Sequence, residues 1–125
     1  MLSVIIFDDV VFARDETFNI PGLEVHVYGH ADDAPALCVE HRCAVAFMDY
    51  AMGADHDDGA TAVRKLRAAG YAERIVATSS DPSKNEEMKR AGADEALDRK
   101  TYLRSYLLHL GSEHLETLAR SGDPS

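Results

Sequence analysis

Four short segments of this chain each end in groups capable of polar chemistry. Val4-Ile5-Ile6-Phe7 runs into Asp8-Asp9, Ala44-Val45-Ala46-Phe47-Met48 delivers Asp49, Ile75-Val76-Ala77 gives way to Thr78-Ser79, and Glu95-Ala96-Leu97-Asp98 is followed by Arg99-Lys100. A carboxylate leaving a buried run is costly unless a cation, donors or a metal meets it, so its partners are sought at the other run ends. If those ends converge, three carboxylates repel one another. A hard divalent cation such as Mg²⁺, which accepts one or two carboxylates and keeps several waters, relieves that repulsion.

The elements that would bring these ends together can be read from pattern. Residues 4–7 form a continuous apolar run, as in a central strand covered on both faces, and residues 23–28 alternate after a Pro21-Gly22 turn. Residues 10–19 leave room only for a short helix, and Asp32-Asp33-Ala34-Pro35 starts another, with an acidic cap and Pro in its first turn. Ala62, Val63, Leu66 and Ala69 share one helical face that Gly70 closes, and Asp81-Pro82-Ser83 opens a helix that Gly92 stops. A last helix begins at Thr101 with Leu103, Tyr106, Leu107 and Leu110 on one face. Gly111-Ser112 is expected to interrupt it, and residues 121–125 to fray. The order βα, repeated five times, requires an α/β doubly wound parallel sheet with helices on both faces. In such a sheet ligands sit outside the carboxyl ends of the strands, where Asp8, Asp9, Asp49, Thr78, Ser79, Arg99 and Lys100 all fall.

These residues, in "VIIFDDV", "FMDYAM", "RIVATSS" and "KRAGADEAL", resemble in order and spacing the receiver domain of two-component response regulators, over almost the whole chain from Leu2 to about Leu110. The resemblance implies a flavodoxin-like sheet of order 2-1-3-4-5, with a receiver domain over residues 1–111 and a helical extension and tail over 112–125. It implies that Asp49 accepts a phosphoryl group from a histidine kinase or phosphotransfer protein. Mg²⁺ would be held directly by Asp9 and the Ala51 carbonyl and by Asp8 through water, with Asp49 also in the metal set. Thr78 would bond a phosphoryl oxygen and move inward, a basic residue after the fifth strand would pair with another, and the signal would leave through the fourth helix, fifth strand and fifth helix to a protein target. Such a protein catalyses its own phosphorylation and dephosphorylation and turns over no separate substrate.

The chain departs from that pattern in several places. Counted from Gly92, the family's lysine falls on Arg99, yet a one-residue shift brings in Lys100, whose compact ammonium suits a crowded site better than a planar guanidinium. Lys100 is preferred, with Arg99 open. Thr78 is preferred as the switch hydroxyl, with Ser79 open because the stretch to Gly92 is short. The aromatic residue expected before the basic one falls at Ala96 or Leu97, and neither is aromatic. Residues 53–59 replace a proline with a longer loop rich in Gly and Asp, read as a solvated acidic loop. These departures keep a second reading alive, a degenerate receiver that acts as an interaction module without being phosphorylated.

Bulk properties narrow the classes further. The 125 residues suffice for one core, and a net charge of −9 argues against a duplex-binding surface. The N-terminal segment resembles neither a signal peptide nor a membrane span, so a cytoplasmic location is expected. Cys38, His41 and Cys43 make a C-x-x-H-x-C cluster that lacks a fourth ligand, and they read as ordinary packed or surface groups. His26, His30, His41, His56, His109 and His114 show no ligand spacing and are expected in surface or packing roles. A hydrolase with an aspartyl nucleophile would want D-x-D-x-T after the first run, and Asp8-Asp9-Val10-Val11 does not supply it.

Overall fold

The computed structural model describes residues 1–121. Its strands are β1 (Leu2–Phe7), β2 (Leu23–Tyr28), β3 (Val45–Met48), β4 (Arg74–Ala77) and β5 (Glu95–Ala96), all parallel, in the order β2-β1-β3-β4-β5. Helices α1 (Asp9–Ala13), α2 (Ala34–Glu40), α3 (Gly59–Ala68), α4 (Pro82–Ala91) and α5 (Leu103–Ser121) alternate with them, and a single 3-10 turn, Lys100–Tyr102, precedes α5. The fold class and strand order are those expected from the sequence.

Period-two alternation sorts the strand residues into two cores. Ile5, Phe7, Ala46, Met48, Ile75 and Ala77 face Cys38 of α2, Ala62, Val63 and Leu66 of α3 and Met88 of α4. Val4, Ile6, Val45, Phe47 and Val76 face Val11 of α1 and Leu103, Leu107 and Leu110 of α5. Because both faces are covered, β1 and β3 must be apolar at nearly every position. Within β1 and β3 the one polar side chain is Ser3, near the start of β1.

Several elements differ from expectation. β1 begins at Leu2 because its pairing with β2 starts there, and β5 is only two residues long. Asp33 stands at the start of α2 without a capping hydrogen bond from its side chain, while Asp32 turns toward the β3–α3 loop. The expected interruption at Gly111-Ser112 is absent: α5 runs unbroken to Ser121, and the rest of the segment expected to fray, residues 122–125, lies outside the described residues.

Close approach, rather than helix breaking, accounts for Gly111. A Cβ there would stand 2.3 Å from the Pro21 carbonyl oxygen and 3.1 Å from Ile20 Cγ2, so the turn into β2 rests directly on the α5 backbone. Gly22, at φ +88°, faces the same contact from the other side. In an ordinary helix interior Gly→Ala stabilises by about 1 kcal/mol. Here Gly111→Ala is expected to destabilise by about 2 kcal/mol, since backbone must shift to admit the methyl group. Chemical denaturation measures the sign directly.

Candidate functional site

The strand ladder itself sets the row of polar groups at the carboxyl edge of the sheet. Asp8 N–H donates to the Tyr28 carbonyl (3.0 Å), Asp49 N–H to the Phe7 carbonyl (3.0 Å) and Thr78 N–H to the Met48 carbonyl (2.9 Å). Each is the first residue past its strand, held in register by its neighbour's last carbonyl. Asp8, Asp49 and Thr78 are all buried.

Asp8 does two things. Its Oδ1 caps α1, accepting from Val10 N–H at 2.9 Å and Val11 N–H at 3.1 Å. Its Oδ2 accepts from Lys100 Nζ at 3.0 Å, and the same ammonium lies 3.1 Å from Asp49 Oδ2. Lys100 arrives from the 3-10 turn after β5, its side chain 35% exposed, against 2% for Asp8 and 9% for Asp49. Arg99, in extended conformation just before that turn, is exposed. Asp9, half-buried in the first turn of α1, completes a cluster in which ligand oxygens of Asp8, Asp9 and Asp49 lie within 4.8 Å of one another. Ala51 is exposed, two residues beyond Asp49 at the start of the β3–α3 loop. Directly under that loop, a Cβ on Gly59 would stand 2.2 Å from the Asp49 carbonyl oxygen, so only glycine lets α3 begin so close to the site.

The two hydroxyls after β4 are in different situations. Thr78 Oγ1 is buried without a hydrogen-bond partner, and Thr78 lines a cavity of about 310 Å³ together with Asp8 and Lys100. Ser79 Oγ accepts from Asp81 N–H at 3.1 Å. Its main chain is held on both sides by buried Asn85, whose Oδ1 accepts Ser79 N–H and whose Nδ2 donates to the Ser79 carbonyl, each at 2.9 Å. Asn85 went unread in the sequence because an amide inside a helix carries no signal of its own.

Burial pushes the Asp49 carboxyl above the ordinary range, the charge of Asp8 adds to the rise, and Lys100 opposes it. Burial works against the charge on Lys100, yet its hydrogen bond to Asp8 and the charge of Asp49 prevail and hold its pKa above the usual lysine value. The salt bridge thus raises its lysine, while at Asp49 the opposing pull of Lys100 is outweighed by burial and the charge of Asp8. An all-oxygen set of three carboxylates suits Mg²⁺, and Lys100 already places a cation between two of them, Asp8 and Asp49.

The histidines are less scattered than their spacing suggests. His30 and His56 stack face to face beside Asp32, where the β2–α2 and β3–α3 loops meet.

No family model matches the chain, and no curated protein is significantly similar to it. Solved structures do resemble it in backbone. A CheY-like response regulator receiver domain protein from Methanospirillum hungatei superposes with a TM-score of 0.69 at 17% identity, covering 94% of this chain and 98% of that one. The response regulator domain of Thermotoga maritima CheB gives 0.62 at 19%, covering 96% and 95%. A response regulator protein from Burkholderia pseudomallei, with a phosphorylated aspartic acid, calcium ion and citrate, gives 0.62 at 19%, covering 97% and 75%. The fold is that of CheY-like response regulator receiver domains. No helix among the described residues is long and apolar enough to cross a membrane.

Asp49→Asn removes one of two carboxylates competing for Lys100 and should stabilise the cation-free protein at neutral pH by about 1 kcal/mol. Since the folded-state pKa of Asp49 is raised, wild type and variant should converge below the ordinary aspartate pKa of 3.8, and the gap should open as pH rises from there toward the folded value and stay constant above it. Lys100→Ala should destabilise by roughly 1–2 kcal/mol, less than for a fully buried pair because Lys100 is partly solvated. Urea unfolding across pH checks both signs.

Proposed function

We propose that this chain is a phosphoacceptor that takes a phosphoryl group on Asp49 from the phosphohistidine of a histidine kinase or phosphotransfer protein, and signals by contact with a downstream protein. The observation that carries the reading is the pairing of buried Asp49 with a shared cation, Lys100, next to a buried hydroxyl, Thr78 Oγ1, that has no partner of its own. A strand-end carboxylate needed only for structure would have no use for an unsatisfied donor beside it.

In the transfer, an Asp49 carboxylate oxygen forms the new O–P bond as the N–P bond to the donor imidazole breaks, and the electron pair of that bond stays on the imidazole nitrogen, which takes up a proton. Little covalent work is left to the protein; positioning and charge neutralisation supply the catalysis. Asp8, Asp9, Asp49 and the Ala51 carbonyl would hold Mg²⁺, which supplies charge neutralisation for the incoming oxygens when bound. Lys100, already on Asp49, is the side chain suited to pair with a phosphoryl oxygen from the β5 side, and Thr78 would donate to another. Thr78 is preferred to Ser79 because the Ser79 hydroxyl is occupied in the turn before α4.

Incubation with Mg²⁺ and a small acyl phosphate, read by intact mass, should yield a single phosphoryl adduct that does not form without the cation and is absent in Asp49→Ala. Lys100→Ala should slow uptake at least about tenfold, and Arg99→Ala should stay near wild type. An adduct on Asp49→Ala would overturn the acceptor assignment. No adduct on wild type would favour the binding-only reading.

A further inference from the structure

Beside the row of strand ends, the β2–α2 and β3–α3 loops meet through three side chains that the phosphoryl chemistry does not use. His30 and Asp32 come from the first loop and His56 from the second. The rings of His30 and His56 stack with centroids 4.2 Å apart and planes 2° from parallel. Asp32 Oδ2 lies 2.7 Å from His56 Nδ1 and 3.8 Å from His30 Nδ1. The other oxygen, Oδ1, accepts Asp57 N–H at 2.9 Å, which turns Oδ2 toward the two rings. One ligand atom from each of the three residues lies within 4.8 Å of the others.

A histidine–aspartate bridge accounts for His56 but leaves His30 unexplained. His30 has no carboxylate within hydrogen-bond distance, and its Nδ1 accepts from Asp32 N–H at 3.3 Å. Two imidazoles held in parallel contact would repel if both were charged. A rotation of these half-exposed side chains that unstacks the rings would turn one nitrogen lone pair of each, with the Asp32 carboxylate, onto a single cation. The surroundings favour positive charge: Asp55 and Asp57 flank His56, and of these Asp57 pairs with Lys65 at 2.5 Å.

We propose that His30, Asp32 and His56 form a binding site for a borderline-soft divalent cation of the zinc class, distinct from the all-carboxylate cluster of Asp8, Asp9 and Asp49. Two imidazoles and one carboxylate are a donor set for Zn²⁺, Co²⁺ or Ni²⁺ rather than for Mg²⁺, which keeps to oxygen. The three side chains are half-exposed, so solvent supplies the remaining ligand. Binding replaces the proton now shared by His56 Nδ1 and Asp32; that proton moves to Nε2 if the ring was neutral and to solvent if it was charged. A cation there ties the loop after β2 to the loop that begins at Asp49, and so restrains the segment flanking the candidate acceptor.

Zn²⁺ titrated into the full chain by calorimetry, in excess Mg²⁺ to fill the carboxylate cluster, should bind one ion per chain. His30→Ala, His56→Ala and Asp32→Asn should each weaken binding about tenfold or more, and Asp49→Asn should leave it unchanged. Circular dichroism checks that the variants fold. In wild type, the imidazole ¹⁵N resonances of His30 and His56 should shift together on adding Zn²⁺, and Co²⁺ should bind without a thiolate charge-transfer band. Unchanged affinity in the histidine variants, shifts confined to other histidines, or a thiolate band from Cys38 and Cys43 would overturn the site. None of these readouts depends on Asp49 accepting phosphate.

Discussion

Lys100 reaches from the end of β5 to Asp8 at the end of β1 and Asp49 at the end of β3, and without it two buried carboxylates would face each other unrelieved. At comparable separations the trio has two attractions and one repulsion, a net gain of one pair. At about 4 Å and an effective dielectric of 20 that is about 4 kcal/mol, before desolvation takes back much of it. Remove the lysine and the sign reverses. The edge of the sheet therefore tolerates its carboxylates only in the presence of a cation, which is also the condition a phosphoryl acceptor needs.

The position of the trio follows from backbone constraint. Parallel pairing leaves the last carbonyl of each strand to be satisfied by the first N–H past its neighbour, so Asp8, Asp49 and Thr78 are fixed in adjacent rows by main-chain hydrogen bonds. Asp8 is fixed a second time, because its other oxygen starts α1. Capping and ion pairing are thus one arrangement here: the carboxylate held rigid by two helix N–H groups is the one that holds Lys100.

Apolar runs and their polar ends made the five strands and the row of polar residues at their carboxyl ends legible in the sequence, since burial on both faces leaves few other patterns for a parallel sheet. What stayed illegible was whatever depends on proximity between distant segments. Gly111 reads locally as a helix breaker, yet Pro21 packs against it. Arg99 and Lys100 are adjacent in a short strand exit, and a 3-10 turn, which no periodicity announces, sets which of them faces Asp8 and Asp49. His30 and His56 lie far apart in sequence and on loops, where side-chain period says nothing, so their meeting at Asp32 is visible only in three dimensions.

The missing aromatic residue at Ala96 and Leu97 bears on how an event at Asp49 could be felt elsewhere. Asn85 supplies a connection of a different kind. Its amide bonds both main-chain groups of Ser79, and its Nδ2 also lies 3.5 Å from the Leu97 carbonyl, so one buried side chain on α4 spans the exits of β4 and β5. Thr78 is covalently next to Ser79. If Thr78 moves to meet a phosphoryl oxygen, the Ser79 main chain moves with it, and Asn85 must either carry α4 along or break two buried hydrogen bonds. Each such bond leaves a desolvated partner when broken, a cost of roughly 1–3 kcal/mol. The amide clamp thus ties the carboxyl edge of the sheet to both α4 and the exit of β5.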